Sequence, residues 1–414
     1  MSQDHRKPAG GRCPAPDADW LTSIEVQAGR MRERIVELAE INSGSDNTAG
    51  VNRVGETLAG YFAALGAKAE RHTLPAATQV GDDGEVQSRP LGDAFVFTQR
   101  PQAPVQVLLV GHLDTVFAAD HPFQHVREID GNRLNGPGVA DLKGGLVVMH
   151  TALTALEHSP WRDRIGWQVV LNPDEEIGSP GSADLLTRAA SGAHAGLVYE
   201  PAMPDGSLAG ARKGSGNFAL VAHGRAAHAG REHHLGRNAL RALADALVAI
   251  DELNGQRDGV TINPAFVHGG GATNVVPERA VLRLNVRIEQ VADEAWFNSR
   301  LDAILAEING RDGLRIDCHG GFARKPKVLD AHQQSLFDLV AACGAELGED
   351  IAWRATGGCC DGNNLAAAGL ANVDTLGVVG GAIHSSDEYV ELDSLVPRAR
   401  LSALVLARLA AGAL

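Results

Sequence analysis

The stretch VLLVGHLDTVF, residues 107–117, opens with four apolar residues in a row and then sets a glycine, a histidine and an aspartate where the run stops. An unbroken apolar run bounded by glycine reads as a strand covered on both faces, of the kind found in parallel sheets. Open α/β sheets gather their ligands just beyond the carboxyl ends of such strands. His112 and Asp114 therefore stand where a site would be built. A histidine alone in that place more often serves a local hydrogen bond, so the reading turns on what joins it.

Outward from this strand the pattern alternates. Residues 20–65 carry helical spacing, as in Ile35, Leu38 and Ile41, then Val54, Leu58 and Phe62. Strand-like runs follow at VQVLLV (105–110), GWQVVLN (166–172) and AGLVYE (195–200), separated by the helical LKGGLVVMHTALTALE (142–157) and GSADLLTRAA (181–190). This alternation predicts an α/β fold with a mostly parallel sheet and helices on both faces. From about residue 213 the order changes. NFALVAHG (217–224), a helix in GRNALRALADALVAIDELN (236–254), the strands VTINPAFVH (260–268) and RAVLRLNVRI (279–288), a helix near 291–307 and LRIDCHG (314–320) make a βαββαβ, two-layer α+β unit. After Pro326 the α/β style returns, with a helix at 330–347, VDTLGVVG (373–380) as a strand and a final helix from Leu392. The expected organisation is a disordered leader over 1–17, a catalytic domain in two parts, 18–212 and 326–414, and an inserted domain over 213–325.

A chain of 414 residues accommodates this, and 48 glycines suit many tight loops. The formal net charge of −14 argues against nucleic acid or an anionic membrane as partner, since both call for clustered Lys and Arg. No apolar run has the length of a membrane span, and the first twenty residues lack a signal-peptide core. Five cysteines without zinc-ribbon spacing read as reduced thiols, and a cytoplasmic location is expected.

Four further stretches share the logic of the first: NGPGVADLKGG with Asp141, NPDEEIGS with Glu175 and Glu176, VYEPA with Glu200, and GGAIHSSDEYV with His384. Carboxylates buried together without a cation raise one another's pKa and lose hydration, a penalty that a divalent metal removes. His112, Asp141, Glu176, Glu200 and His384 supply two imidazoles and three carboxylates, too many for one tetrahedral ion that must also hold water. With Asp141 as a bridge, two ions receive three protein ligands each, and Glu175 is left over as a proton carrier.

On these motifs the sequence resembles the co-catalytic zinc aminoacylase and carboxypeptidase family, metallopeptidase family twenty. That family includes glutamate carboxypeptidase, acetylornithine deacetylase and succinyl-diaminopimelate desuccinylase. The resemblance runs from about residue 20 to the C-terminus. It implies that His112, Asp141 and Glu200 bind one ion and Asp141, Glu176 and His384 the other, most simply Zn2+, with Co2+ or Mn2+ accepted by similar sites. Asp114 would orient His112, and Glu175 would be the general acid/base. A cis peptide is implied between Asp141 and Leu142.

GRAAHAGREHHLGRNAL (224–240) is similar to the family's lid signature, which implies that His228 serves the active site of a partner subunit in a homodimer formed through the inserted domain. Asn274, Arg287 and Arg324, in GGGATNVVP, LNVRI and GFARKPK, fall where members grip a substrate carboxylate. The same resemblance implies that Gly357 and Gly358 in TGGCCDGNN fall on the loop lining the pocket, where the paired Cys359 and Cys360 depart from glutamate-specific members. The implied activity is hydrolysis of an amide bond in an N-acyl amino acid or short peptide with a free carboxylate. A binuclear phosphoesterase would normally show an Asn–His ligand motif, which DGNN lacks. A non-catalytic relative would have lost Glu175 or a ligand.

Overall fold

In the computed structural model, which describes Ala15 and residues 18–414, the opening stretch forms the strand Val105–His112. Apart from Ala15, the leader assigned to 1–17 lies outside the described residues. Alternation along this strand sends Val107 and Leu109 into a layer with the helices Ala28–Ala39, Lys143–Glu157, Ala331–Leu347 and Leu395–Ala410. Leu108 and Val110 face the other way, onto Ala183–Ala190 and Asp361–Ala367. Both faces are covered, which is why the run is apolar throughout. Gly111 is required by close packing: a Cβ there would meet Leu146 Cδ2 at 2.6 Å.

The sheet has six strands in the order Lys68–Thr73, Asp93–Gln99, Ile165–Asn172, Val105–His112, Ala195–Val198 and Asn372–Val373. The last three pairings are parallel and the first two antiparallel, so the mostly parallel α/β core is as the sequence predicted. Sequence reading passed over the two antiparallel strands at its edge. It also made VDTLGVVG a strand throughout, whereas only its first residue, Val373, continues the six-stranded sheet, and its last two pair elsewhere, Val379 with Ala202 and Gly380 with Val390. Thr375 takes φ 67°, in the left-handed region, directly after Asp374, whose carboxylate is held by other partners.

Those partners sit where the chain enters and leaves the second unit. Arg212 and Lys327 bond each other's backbones, N to O, at 3.0 Å in both directions, so the two crossings run side by side. The fully buried Asp374 receives Arg212 Nε and Nη2 at 2.9 Å each and Lys327 Nζ at 2.8 Å. One carboxylate thus pins both crossings to the sheet.

The second unit follows the expected βαββαβ order, with four antiparallel strands arranged Thr261–Gly269, Arg279–Ile288, Gly214–His223 and Arg315–Arg324. Alternation again divides the faces: Phe218, Leu220 and Ala222 pack on the helices Ala239–Asp251 and Val291–Asn309. Val221 and Val281 point oppositely and bury Val80 from a hairpin, Ala77–Val80 and Val86–Arg89, that reaches across from the first unit. Its polar contacts are Arg279 with Glu85, Arg283 Nη2 with Asp82 Oδ1 at 2.5 Å and with the Val80 carbonyl at 2.8 Å, and His268 Nδ1 with the Asp82 carbonyl at 3.0 Å.

Candidate metal centre and active site

Each chemical side chain leaves the end of a regular element. His112 ends its strand, Glu175 and Glu176 follow Ile165–Asn172 across a short turn, and Glu200 follows Ala195–Val198. Asp141 lies just ahead of the helix Lys143–Glu157, at the cis peptide Asp141–Leu142 that the resemblance implied. His384 is in a loop at φ 63°.

Two donor groups result. His112 Nε2 lies 3.1 Å from Asp141 Oδ1 and 3.8 Å from Glu200 Oε1. His384 Nε2 lies 3.2 Å from Asp141 Oδ2 and 3.3 Å from Glu176 Oε2. Ligands about 2.1 Å from a tetrahedral zinc stand about 3.4 Å apart, and these spacings bracket that value. Donor identity fits as well. His112 Nδ1 donates to the Asp114 carbonyl at 2.9 Å, so in the neutral ring that a metal ion would require, Nε2 presents its lone pair toward two carboxylates. Glu200 Oε1 is buried with no hydrogen-bond partner. Acceptors facing acceptors, one of them orphaned, call for a cation.

The electrostatics agree. Burial pushes Glu200 well above the usual carboxylate range, with Glu175 and Asp141 adding to it. Burial and then Asp141 push Glu176 up to about 8. Bonds to Asp141 and Glu176 raise His384 to about 11. Burial opposes charge on His112, yet Asp114 and Asp141 raise it well above its ordinary value. Burial opposes charge on Asp141 too, yet His112 and His384 hold it below its usual range, while Glu176, Glu200 and both imidazoles shift upward; together they describe a cluster short of positive charge.

Asp114 locks the two strand ends together. Its Oδ1 accepts from the Glu175 amide at 3.1 Å, and its Oδ2 from the Glu176 amide at 3.2 Å and Ser45 Oγ at 2.8 Å. The adjoining cleft, about 300 Å³, is lined by Glu175, Glu200, Arg212, Gly358, Cys359 and His384 among others. A volume of that order suits a small molecule.

The remaining candidates divide into two groups. Gly357 and Gly358 lie on the exposed loop over this cleft, and Arg287 Nη1 donates to Cys359 Sγ there at 2.9 Å. Cys359 and Cys360 are thiols rather than a disulfide. Arg324, which the resemblance placed on a substrate carboxylate, is only 5% exposed and is engaged with Glu175 and Asp361. His228 and Asn274 are exposed neighbours on the second unit: the Ala229 amide bonds the Asn274 carbonyl at 2.9 Å, and neither residue lines the cleft. His228 Nδ1 accepts from the amides of Gly230 and Arg231 at 3.1 and 3.2 Å, which leaves the ring proton on Nε2.

Three residues escaped the sequence reading. Arg212 lines the cleft, Asp374 holds it, and Glu388 accepts from the amides of Gly138, Ala140 and Asp141 and so cradles the bridging residue. Glu388 is in the same GGAIHSSDEYV stretch as His384, the one local signal that could have found it.

Residues 108–408 match the family model described as Peptidase family M20/M25/M40. Among curated proteins the chain is similar to Carboxypeptidase G2 of Pseudomonas sp. (strain RS-16), 28% identical over 388 residues that cover 91% of this chain and 88% of the relative. It is also similar to succinyl-diaminopimelate desuccinylase of Hahella chejuensis, 27% identical over 75% of this chain and 85% of that one. Among solved structures, a tripeptidase from Staphylococcus aureus superposes with TM-score 0.72 at 20% identity, covering 93% of this chain and 99% of that one. An M20 family metallo-carboxypeptidase from Sulfolobus solfataricus superposes with TM-score 0.69 at 16% identity, covering 91% and 98%.

Proposed function

The chain belongs to peptidase family M20/M25/M40 and is a metallo-peptidase or amidohydrolase; from that premise we propose a dinuclear enzyme cleaving the amide bond of an N-acyl amino acid or short peptide with a free carboxylate. The observation that carries the dinuclear reading is the division of Asp141, with Oδ1 in one donor group and Oδ2 in the other. His112, Asp141 and Glu200 would hold one ion, and Asp141, Glu176 and His384 the second, zinc being favoured by the mixed imidazole and carboxylate set. When bound, such ions supply Lewis acidity and a lowered pKa for coordinated water.

The chain's own residues do the rest. Glu175 lines the cleft beside both donor groups, takes a proton from the attacking water and delivers it to the leaving nitrogen. His228 donates its Nε2 proton to the developing oxyanion, from the partner subunit of a homodimer formed through the second unit. Its exposure, beside Asn274 and apart from the cleft of its own chain, supports that arrangement. Arg287 and Asn274 hold the substrate carboxylate, and Gly357 and Gly358 border its pocket. A cytoplasmic setting fits the thiols of Cys359 and Cys360. Among the described residues, no helix is long and apolar enough to cross a membrane.

Elemental analysis of zinc-saturated protein, with a scan of N-acyl amino acids and dipeptides, tests the reading. About two ions per chain are expected. Glu175→Gln should keep both ions and lose several orders of magnitude in turnover, whereas Glu176→Gln should lose metal. A ceiling of one ion with Glu200 or His384 dispensable would refute the dinuclear site.

A further inference from the structure

Arg324 is the last residue of its strand and pairs across the sheet with Ser215, where the second unit meets the crossings back to the first. Its guanidinium points into the first unit rather than into open cleft. Nη2 lies 2.8 Å from Glu175 Oε1, 3.0 Å from the Glu175 carbonyl and 2.9 Å from Ser179 Oγ. Asp361 Oδ1, 3.4 Å away, stands behind it. Asp361 is itself fixed by Ser179 Oγ at 2.5 Å and by Asn172 Nδ2 at 2.8 Å. One cation therefore grips the carboxylate, the carbonyl and the turn of the proposed general base, backed by a buried anion.

We propose that Arg324 is a positioning residue for Glu175 and does not bind the substrate's carboxylate. A glutamate side chain has three rotatable torsions, and a proton carrier must meet both water and leaving nitrogen within hydrogen-bond reach. Clamping Oε1 and the backbone together removes that freedom and leaves the other carboxylate oxygen for proton transfer. Nη2 is committed to Glu175, whereas Nη1 turns to the Cys359 carbonyl at 3.4 Å and Nε is buried without a partner, so a substrate carboxylate drawn onto Nη2 would compete with Glu175 for it. Arg287 has no such conflict: it is half-buried, and its contacts are with Asn285 Oδ1 and Cys359 Sγ, both at 2.9 Å, at the edge of the cleft. Position also matters, because Arg324 reaches Glu175 from the edge of the second unit and so ties the base to the placement of that unit.

The inference rests on Glu175 being the proton carrier, and the test separates the two claims. Kinetics are measured on wild type, Arg324→Lys, Arg324→Met, Asp361→Asn and Glu175→Gln, with metal content and melting temperature checked for each. Two substrates are used, the N-acyl amino acid cleaved fastest in the scan and the carboxamide of that same compound. A displacement of about 1 Å in a reacting group costs on the order of 100-fold. The Arg324 variants should therefore lose about 100-fold in kcat with KM held within about twofold, and their preference for carboxylate over carboxamide should equal that of wild type. Asp361→Asn should show a weaker form of the same pattern. Adding Arg324→Lys to Glu175→Gln should cost nothing more. A raised KM together with loss of the carboxylate preference would overturn the inference and return Arg324 to the substrate. Activity retained in Glu175→Gln would instead overturn the assignment of the base. Should Arg324→Met fail to fold, Arg324→Lys and Asp361→Asn decide the question.

Discussion

Asp374→Asn should be among the most damaging single substitutions outside the donor groups, and the structure sets the size of the loss. The carboxylate is fully buried and serves two cations at once, Arg212 through two bonds of 2.9 Å and Lys327 through one of 2.8 Å. Asparagine keeps the shape and removes the charge, leaving two cations buried around a neutral side chain. Removing the counter-charge of a buried pair costs about 3–5 kcal/mol, more than the about 1.5–3 kcal/mol of one charge-assisted hydrogen bond. At about 2 °C per kcal/mol the melting temperature should fall by about 6–10 °C. Lys327→Met should cost less, because Arg212 and Asp374 remain a matched bidentate pair. Added to Asp374→Asn, it should recover part of the loss by removing one orphaned charge.

The sign of the pH dependence follows from the same contacts. Burial alone would raise Asp374, but Arg212 and Lys327 outweigh it and hold the carboxylate below its usual range. A lowered folded pKa gives stability that is complete above the unfolded value, about 3.9, and drains away as pH falls through the folded one. The advantage of wild type over Asp374→Asn should thus be constant above about pH 5 and shrink below about pH 4. Scanning calorimetry at fixed metal saturation measures all of this, since bound metal itself raises apparent stability. A melting temperature within about 2 °C of wild type, or a double variant less stable than Asp374→Asn alone, would refute the account.

Other perturbations have equally definite outcomes. Gly111→Ala forces a methyl toward Leu146 Cδ2 and should cost about 1–3 kcal/mol and loosen metal at the adjoining His112, read by melting temperature and metal content. Chelation should lower the melting temperature markedly, since each ion present at about a thousand times its Kd contributes about 4 kcal/mol. Mixing Glu175→Ala with His228→Ala chains under verified subunit exchange should restore about a quarter of wild-type activity, because half the dimers are mixed and each holds one complete site of two. No recovery would place His228 in its own chain's site.

The sequence showed some of this plainly and some not at all. His112, Asp141, Glu175, Glu176, Glu200 and His384 were legible because each carries chemistry out of place in its surroundings, a charge or imidazole closing an apolar or glycine-rich run. The Val105–His112 strand was legible for the complementary reason, since burial on both faces leaves no polar positions. Asp374 was missed although it interrupts the apolar VDTLGVVG, where an aspartate is itself a mark against a continuous strand. What it does is set by Arg212, 162 residues away. Glu388 finds the Ala140 amide 248 residues away. Contacts of that kind leave no local periodicity. Arg324 shows another limit, since a motif identifies a residue near the chemistry without saying which partner its guanidinium takes.

The hairpin over 77–89 changes how the second unit is mounted. Two crossings side by side, at Arg212 and Lys327, define an axle, and a body held only by an axle is free to turn about it. The hairpin holds that body at the far end: Arg279 pairs with His223, whereas Gly214, beside the crossings, pairs with Ile288. Along the ten residues of Gly214–His223 the lever arm is about 30 Å. A turn of about 10° carries its tip through about 5 Å, beyond the about 4 Å within which an ion pair counts as formed. Any larger swing must first pull Arg279 from Glu85, Arg283 from Asp82 and Val80 from between Val221 and Val281. The hairpin thus fastens the edge of the second unit farthest from Arg212 and Lys327, a second anchorage beyond the grip of Arg324 on Glu175 near the crossings.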